Sequence, residues 1–515
     1  MSDVSAPGGP HKAPLSERLL DALLDPSRRG SAVLALLTGY AAVWSLYGAI
    51  AKGSQDLHFD MGEMVAWSRE VSLGTPKHPP LPVWLVRAWF SVFPLQDWAY
   101  YFFANLMATA ALWVAWKASE RYLDGEKRLL GLALLTLVPF YNFHALKFNA
   151  NTAMTLPWAL TTWWFLRSYE TQRPLDAALA GLAAAAAVLS KYWSMVLLLG
   201  LALAALSDRR RIAYFRSSAP WLTAVCGLAG LAPHLIWLYA SGFRPFRYAL
   251  EAHAADAWGA LASAPGYVLG AAGYLAAPIL LTLAAARPRW RTIADSLWPP
   301  AGDRRLVLVA FLAPLLLPTM AALAAREKIV SLWAIGSMTL TPVVLLSSPQ
   351  LTISRLAVRR ILALAIAVPL IALALSPGIA LVIHHQGVPN GATHYRMVAH
   401  AAEQAWRDTT DQPLRLIGSY NNLLYGTVFY FSDQPSTLEI RDPQVTPWTD
   451  AQRLARDGIV LFCPAEDAQC IKAMNEVAAH GPSGKHTEVE VSRRYLGFAD
   501  KPVRYVILTV PPSLP

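Results

Sequence analysis

The chain has 515 residues, of which 55% are hydrophobic and 15% charged, and its mean hydropathy is +0.34. Soluble globular proteins carry about 25% charged residues, so this balance excludes an ordinary soluble domain and points to a polytopic membrane protein. The formal net charge is +10. Nucleic acid is not the reason: the basic residues fall between apolar runs, where they set topology and meet anionic headgroups, and no basic face with interleaved aromatics appears elsewhere.

Residues 1–30 are polar and rich in Pro, Gly and Ser, with no cleavable signal pattern, and are expected to form a disordered cytoplasmic tail. Apolar runs of spanning or near-spanning length follow at 32–51, 100–118, 129–141, 152–166, 175–189, 196–206, 219–239, 267–285, 307–324, 329–346 and 361–383. They predict an α-helical domain of about eleven spans over residues 31–384, the shorter runs borrowing flanking residues or packing inside the bundle. With the N-terminus inside, Lys and Arg favour the inner loops roughly twofold, which places the loop after the first span and the C-terminus outside. Aromatics such as Trp44, Trp89, Trp98 and Trp163 read as interfacial belt residues. After His384 the composition shifts. Helical runs at 394–407, 450–456 and 468–479 alternate with strand-like runs at 414–418, 458–462, 488–492 and 504–510, predicting a small α/β domain over 385–515. Cys226 lies in an apolar run. Cys463 and Cys470 lie close together in the tail, either as a disulfide or as two thiols.

The chemistry concentrates in the first outer loop, residues 56–84, DLHFDMGEMVAWSREVSLGTPKHPPLPVW. A helix over 56–71 would place Asp56, Asp60, Glu63 and Trp67 on one face. Carboxylates in one stripe repel, so one of them should have a raised pKa or a cation should sit between them. A carboxylate poised near neutral pH suits a general base acting on a hydroxyl acceptor. Pro79-Pro80 then makes a stiff corner that disfavours helix at His78. It presents Lys77 and His78, a point charge and a hydrogen-bond donor suited to phosphate. An acid to activate an acceptor, beside cations to hold a departing phosphate, is the minimum set for glycosyl transfer from a phospholipid-linked sugar. Lys191, Arg244 and Arg247 are further outer-face cations. Asp60, Glu63, His78 and His253 could offer ligands to a divalent metal, though their spacing carries little information. Trp67 could stack on a sugar or pack in the core.

The pattern Asp60…Trp67-Ser68…Gly74…His78-Pro79-Pro80-Leu81…Trp84-Leu85 resembles the first outer loop of bacterial polyprenyl-phosphate-sugar glycosyltransferases of the GT-C fold. These are relatives of the protein O-mannosyltransferases of glycosyltransferase family 39 and of the lipid A aminoarabinose transferase. Leu146-Lys147-Phe148-Asn149-Ala150-Asn151-Thr152 is similar to the second outer loop of that family, and Gly181-Leu182…Leu189-Ser190-Lys191-Tyr192 to its next helix pair. The resemblance covers residues 32–206 well and the later spans loosely.

It implies that Asp60 is the general base of an inverting transfer. A second acid often follows that base directly; here Met61 and Gly62 follow, and Glu63 is the next acid. His78 stands where aminoarabinose transferases have a Lys, with Lys77 supplying the charge. Asn149 and Asn151 fall where some members have an Asp that contacts donor or metal. Lys77, His78, Lys191 and Arg244 are then expected to line the donor-phosphate groove. The function expected is an inverting glycosyltransferase of the bacterial inner membrane. It would move a sugar from a polyprenyl-phosphate donor to an envelope lipid or glycan, such as lipid A or lipopolysaccharide, on the periplasmic face. Its partners would be that donor, the acceptor and membrane lipids, with no nucleic acid. The alternatives are a polytopic transporter or lipid flippase, against which stand the nearly charge-free spans and the lack of an inverted repeat, and a non-catalytic subunit that kept the fold.

Overall fold

The computed structural model of the protein describes residues 15–513 apart from 71, 254–255, 301, 389–391 and 480–481. Every apolar run falls on helical structure. Among the described residues, five helices are long and apolar enough to cross a membrane: Arg29–Ala51, Ala219–Ala240, Trp258–Ala286, Asp303–Ala322 and Arg355–Gln386. Pro174–Ser190, Tyr192–Ser207 and Ser331–Leu346 are apolar but shorter.

The run at 129–141 breaks. Gly125–Thr136 and Pro139–Leu146 meet at 77°. Pro139 causes the break: its ring drives Val138 into an extended conformation (ψ 126°) and it has no N–H to continue the helix. Asn142 Nδ2 donates to the carbonyls of Thr136 (3.0 Å) and Val138 (3.2 Å), and the Tyr40 hydroxyl donates to Tyr141 O (2.8 Å), so the freed carbonyls stay satisfied. The bend carries the following segment, Phe143 to Lys147, across to His58 and Asp60.

Part of the expected N-terminal tail, residues 1–14, lies outside the described residues. The rest is not disordered: Leu15–Leu24 is a helix. Its Glu17 pairs with Arg359 at 3.2 Å and its Asp21 with Arg355. These pairs belong to a charged layer at one end of the bundle. There Glu120 accepts from Arg29 (3.1 Å), Lys117 (3.0 Å) and Arg128 (2.9 Å), and Asp303 from Arg121 (3.0 Å) and Arg210 (2.6 Å). The helix that starts at Arg29 in this layer ends at Ala51, and Lys52 beyond it lines a cavity at the opposite end.

Beyond the last long helix lies a five-stranded sheet in the order β2-β1-β3-β7-β4. Its strands are β1 (Leu416–Ser419), β2 (Ser436–Glu439), β3 (Ile459–Pro464), β4 (Lys485–Val491) and β7 (Val503–Val510), with a small hairpin of β5 (Arg494–Tyr495) and β6 (Phe498–Ala499). β1 runs parallel to β2 and β3, and β7 antiparallel to β3 and β4. Tyr395–Arg407 and Asn421–Val428 cover one face and share the core of the helical bundle. Ala468–Ala478 covers the other, where Cys463 of β3 and Cys470 form a disulfide.

The two parts of the chain are pressed together. A Cβ on Gly62 would lie 1.8 Å from the carbonyl oxygen of Tyr425 in the Asn421–Val428 helix. Gly62 stands where a larger residue would hold the C-terminal domain off the Phe59–Arg69 helix. Gly62→Ala should therefore destabilise the protein by about 1–3 kcal/mol, read as a lower melting temperature in detergent. Gly39→Ala, with nothing within 4 Å of the added carbon, should leave it unchanged.

Candidate active site

The acidic stretch forms a shorter helix than its pattern suggests, Phe59–Arg69, so Asp56 falls outside it. The expected stripe is thereby divided, and each carboxylate meets its own cation. Asp56 is fully buried and accepts from Arg493 of the soluble domain and from the backbone N–H of Arg396 (3.0 Å). Asp60 Oδ2 lies 2.9 Å from Lys147 Nζ. Glu63 Oε1 lies 2.5 Å from Lys77 Nζ.

Asp60 sits in the first helical turn, where the helix dipole favours a negative charge. The N-cap is His58, whose Nδ1 accepts from the Asp60 backbone N–H at 3.1 Å and whose Nε2 lies 3.2 Å from Lys147 Nζ. Asn149 approaches from the start of the Ala150–Ala153 helix. Its Oδ1 caps the Ala150–Ala153 helix by accepting from Asn151 N (2.9 Å) and Thr152 N (3.2 Å). Its Nδ2 is left to donate to Asp60 Oδ2 at 2.9 Å. An aspartate there could cap the helix but could not donate, which gives the neutral residue a physical reason. Asn151 Oδ1 in turn accepts from Lys191 Nζ at 2.5 Å, and the Lys191 ammonium lies 4.8 Å from the centre of the Trp333 ring.

Burial raises the Asp60 pKa, but Lys147 and His58 outweigh it and hold the carboxyl below its ordinary value. Asp60 is thus a fully ionised carboxylate at neutral pH rather than one poised near it. Burial pushes His58 down to about 4 with help from Lys147 and Lys52, against the pull of Asp60, so its imidazole is neutral at pH 7. Burial also works against the Lys77 ammonium, but Glu63 outweighs it and Asp60 adds to the effect, so the group stays charged.

A cavity of about 340 Å³ adjoins Asp60. Its walls include three of Asp60's partners, His58, Lys147 and Asn149, together with Lys52, His144, Asn151 and Tyr395. Asp60 keeps a quarter of its side chain exposed. The expected phosphate ligands are dispersed. Lys77 is buried and encircled by Trp67, Tyr248 and Tyr425, whose ring centres lie 5.4–5.6 Å away, with Asn421 Oδ1 at 3.3 Å. His78 is fixed through its backbone, which accepts from the Thr75 hydroxyl at 2.8 Å. Arg244 is exposed and lines a separate crevice with Trp237 and Trp448. Lys191 stands behind Asn151. Trp67 is buried at 1% exposure and is a core residue rather than a sugar platform.

Asp60, Glu63 and His78 do not converge as metal ligands: among the described residues, no three of His, Cys, Asp and Glu gather in a metal-binding arrangement. Asp60 Oδ2 already faces an ammonium and an amide donor, an environment built for an anion rather than a cation. The side chain of His253 lies outside the described residues. The two residues closest to Asp60 that were not singled out from sequence are Lys147 and His58. Lys147 was readable in principle, as the one charge in the second-loop motif.

A family model for dolichyl-phosphate-mannose-protein mannosyltransferase matches residues 77–237. The match opens on Lys77-His78-Pro79-Pro80 and takes in Lys147, Asn149 and Lys191, but stops short of Asp60. The structure superposes on ArnT from Cupriavidus metallidurans bound to undecaprenyl phosphate with a TM-score of 0.63 at 14% identity. The two chains are covered over 92% of this one and 97% of the other. The apo state of the same protein gives 0.59 at 12% identity with the same coverage. The chain has the GT-C fold of ArnT. No curated protein sequence matches it significantly. The expected resemblance to GT-C polyprenyl-phosphate-sugar glycosyltransferases thus stands, and at such low identity the likeness to ArnT is one of fold.

In this GT-C framework Lys147 sets the protonation of Asp60. Lys147→Met removes the opposing charge and leaves the burial, so the Asp60 pKa should rise. The acid limb of the pH–rate profile should move upward by about 1–2 pH units, measured in a sugar-transfer assay from pH 3 to 8. An unmoved limb would separate Lys147 from the titration of Asp60.

Proposed function

We propose that the protein is an inverting glycosyltransferase of the bacterial inner membrane. It moves a sugar from a polyprenyl-phosphate donor to an envelope lipid or glycan, with lipid A or lipopolysaccharide as the candidate acceptor, on the periplasmic face. The observation that carries this reading is Asp60: an ionised, part-exposed carboxylate at the edge of a cavity, in a GT-C fold, with Lys147 and Asn149 fixing its orientation.

In this reading the acceptor oxygen attacks the anomeric carbon and its proton passes to Asp60. The new C–O bond forms as the bond from the anomeric carbon to the phosphate oxygen breaks, and the electron pair leaves with the polyprenyl phosphate. Lys77, His78 and Lys191 are the proposed ligands of the departing phosphate. A phosphate at Lys77 competes with Glu63 for the ammonium. Burial pulls the Lys191 pKa down to about 7 against the pull of Asp60, and its described partners are the neutral Asn151 and the Trp333 ring, so an arriving phosphate would favour its charged form. Arg244 stands apart from this group. The orientation is supported by the basic layer gathered at the end of the bundle opposite Asp60. The Cys463–Cys470 disulfide in the soluble domain suits an oxidising compartment.

Asp60→Asn keeps the shape and removes the base. Transfer should fall by about 10²–10⁴-fold, with undecaprenyl phosphate still bound as by wild type. The assay uses a deletion strain: the polyprenyl-phosphate sugar that accumulates there serves as donor, and the envelope glycolipid that loses a residue serves as acceptor. Wild-type turnover by Asp60→Asn would remove the assignment.

A further inference from the structure

The cavity beside Asp60 carries more positive charge than the base needs. Lys147 is neutralised by Asp60, but Lys52 is not. It is half-buried, lines the same cavity, and has no carboxylate or other hydrogen-bond partner for its ammonium among the described residues. Burial pulls its pKa down, and no opposing charge offsets the fall. An ammonium in a partly enclosed site is costly without a counter-charge. Among the described residues the one carboxylate on the cavity wall is Asp56, which turns its oxygens to Arg493 and Arg396. His58 and His144 add hydrogen-bonding nitrogens, and among the described residues no further acid lines the wall.

Stereochemistry says which substrate an anion in this cavity belongs to. In an inverting displacement the attacking and leaving oxygens lie on opposite faces of the anomeric carbon, and the base stands on the attacking side. Lys147 is 2.9 Å from the base, and Lys52 shares its cavity. A group they hold is on the attacking side. Lys77 and Lys191 line no part of this cavity and remain for the leaving phosphate.

We propose that this cavity seats an acceptor bearing an anionic oxygen group, held by Lys52 and Lys147 next to the oxygen that Asp60 deprotonates. The acceptor assignment rests on the glycosyltransferase reading; the anion site itself does not, and its test is a binding measurement.

Purified full-length protein in neutral detergent is titrated calorimetrically with dihexanoyl phosphatidic acid, with dihexanoyl phosphatidylcholine as the zwitterionic control. Wild type should bind the first and not the second. Lys52→Met should weaken that binding about tenfold while binding undecaprenyl phosphate as wild type does. Asp60→Asn frees the Lys147 ammonium and should tighten phosphatidic acid binding. Equal affinity of wild type and Lys52→Met, or equal affinity for the two lipids, would overturn the anion site. Loss of undecaprenyl phosphate binding in Lys52→Met would move these cations to the donor side and overturn the acceptor assignment. In the transfer assay, Lys52→Met should raise the acceptor KM about tenfold with the donor KM unchanged. If binding behaves as expected but Asp60→Asn transfers normally, the glycosyltransferase reading fails and the anion site stands.

Discussion

Three carboxylates within eight residues cannot share a low-dielectric setting unless each is balanced locally, and this constraint shapes the end of the molecule that holds Asp60. The balancing cations come from three separate parts of the chain. Lys77 comes from the double-proline corner, Lys147 from the loop beyond a broken helix, and Arg396 and Arg493 from the soluble domain. The short acidic helix is therefore the hub on which membrane loops and soluble domain meet. Gly62 admits the soluble domain's backbone on one side, and the Tyr100 hydroxyl donates to Met61 O at 3.0 Å on another. Arg69 donates to the carbonyls of Pro435 (2.6 Å) and Val428 (3.1 Å) at its far end. The soluble domain thus grips the segment that carries Asp60 before and after the carboxylate.

The division of labour among the carboxylates follows from exposure. Asp56 is sealed and binds arginine side chains and backbone, so it holds the domains together. Glu63 is sealed with Lys77 under three aromatic rings. Asp60 alone of the three keeps a quarter of its surface open, and its partners His58, Lys147 and Asn149 line the adjoining cavity. The cations fall into two groups around it, those that share its cavity and those that do not. A reaction in which one oxygen arrives and another departs on opposite faces of a carbon calls for such a partition.

Much of this was legible in the sequence, and the failures have a common cause. The strand-like runs at 414–418, 458–462 and 504–510 became β1, β3 and β7 within a few residues, because short runs rich in Val, Ile and Leu mark strands buried on both faces of a sheet. Asp60, Asn149, Asn151 and Lys191 proved to be neighbours, since the loop motifs that carry them stack at one end of the bundle. The partner of each charge was not legible. Nothing in the spacing of Asp56, Asp60 and Glu63 says that the helix begins at Phe59 and splits the stripe. Nor does anything in the PKHPP segment say that Lys77 turns inward to Glu63 while Arg244 stays in another crevice. Pairings of this kind are decided by tertiary approach over long separations. The same holds for the N-terminal helix, whose polar composition suggests a free tail until Arg355 and Arg359 are brought beside it. Span number is not legible either, because an apolar helix packed inside a bundle need not be long enough to cross a membrane.

The separations recorded in the Asp56 contacts have a consequence for biosynthesis. Its partners lie 340 and 437 residues later in the chain. While the early helices enter the bilayer and the ribosome is still working, this carboxylate has no arginine to meet. Only when β4 and the turn after it emerge does the outer segment acquire its final electrostatic balance. Until Arg396 and Arg493 have been made, the segment that carries Asp60 is held at one end only, so its final position depends on a part of the chain synthesised long after it.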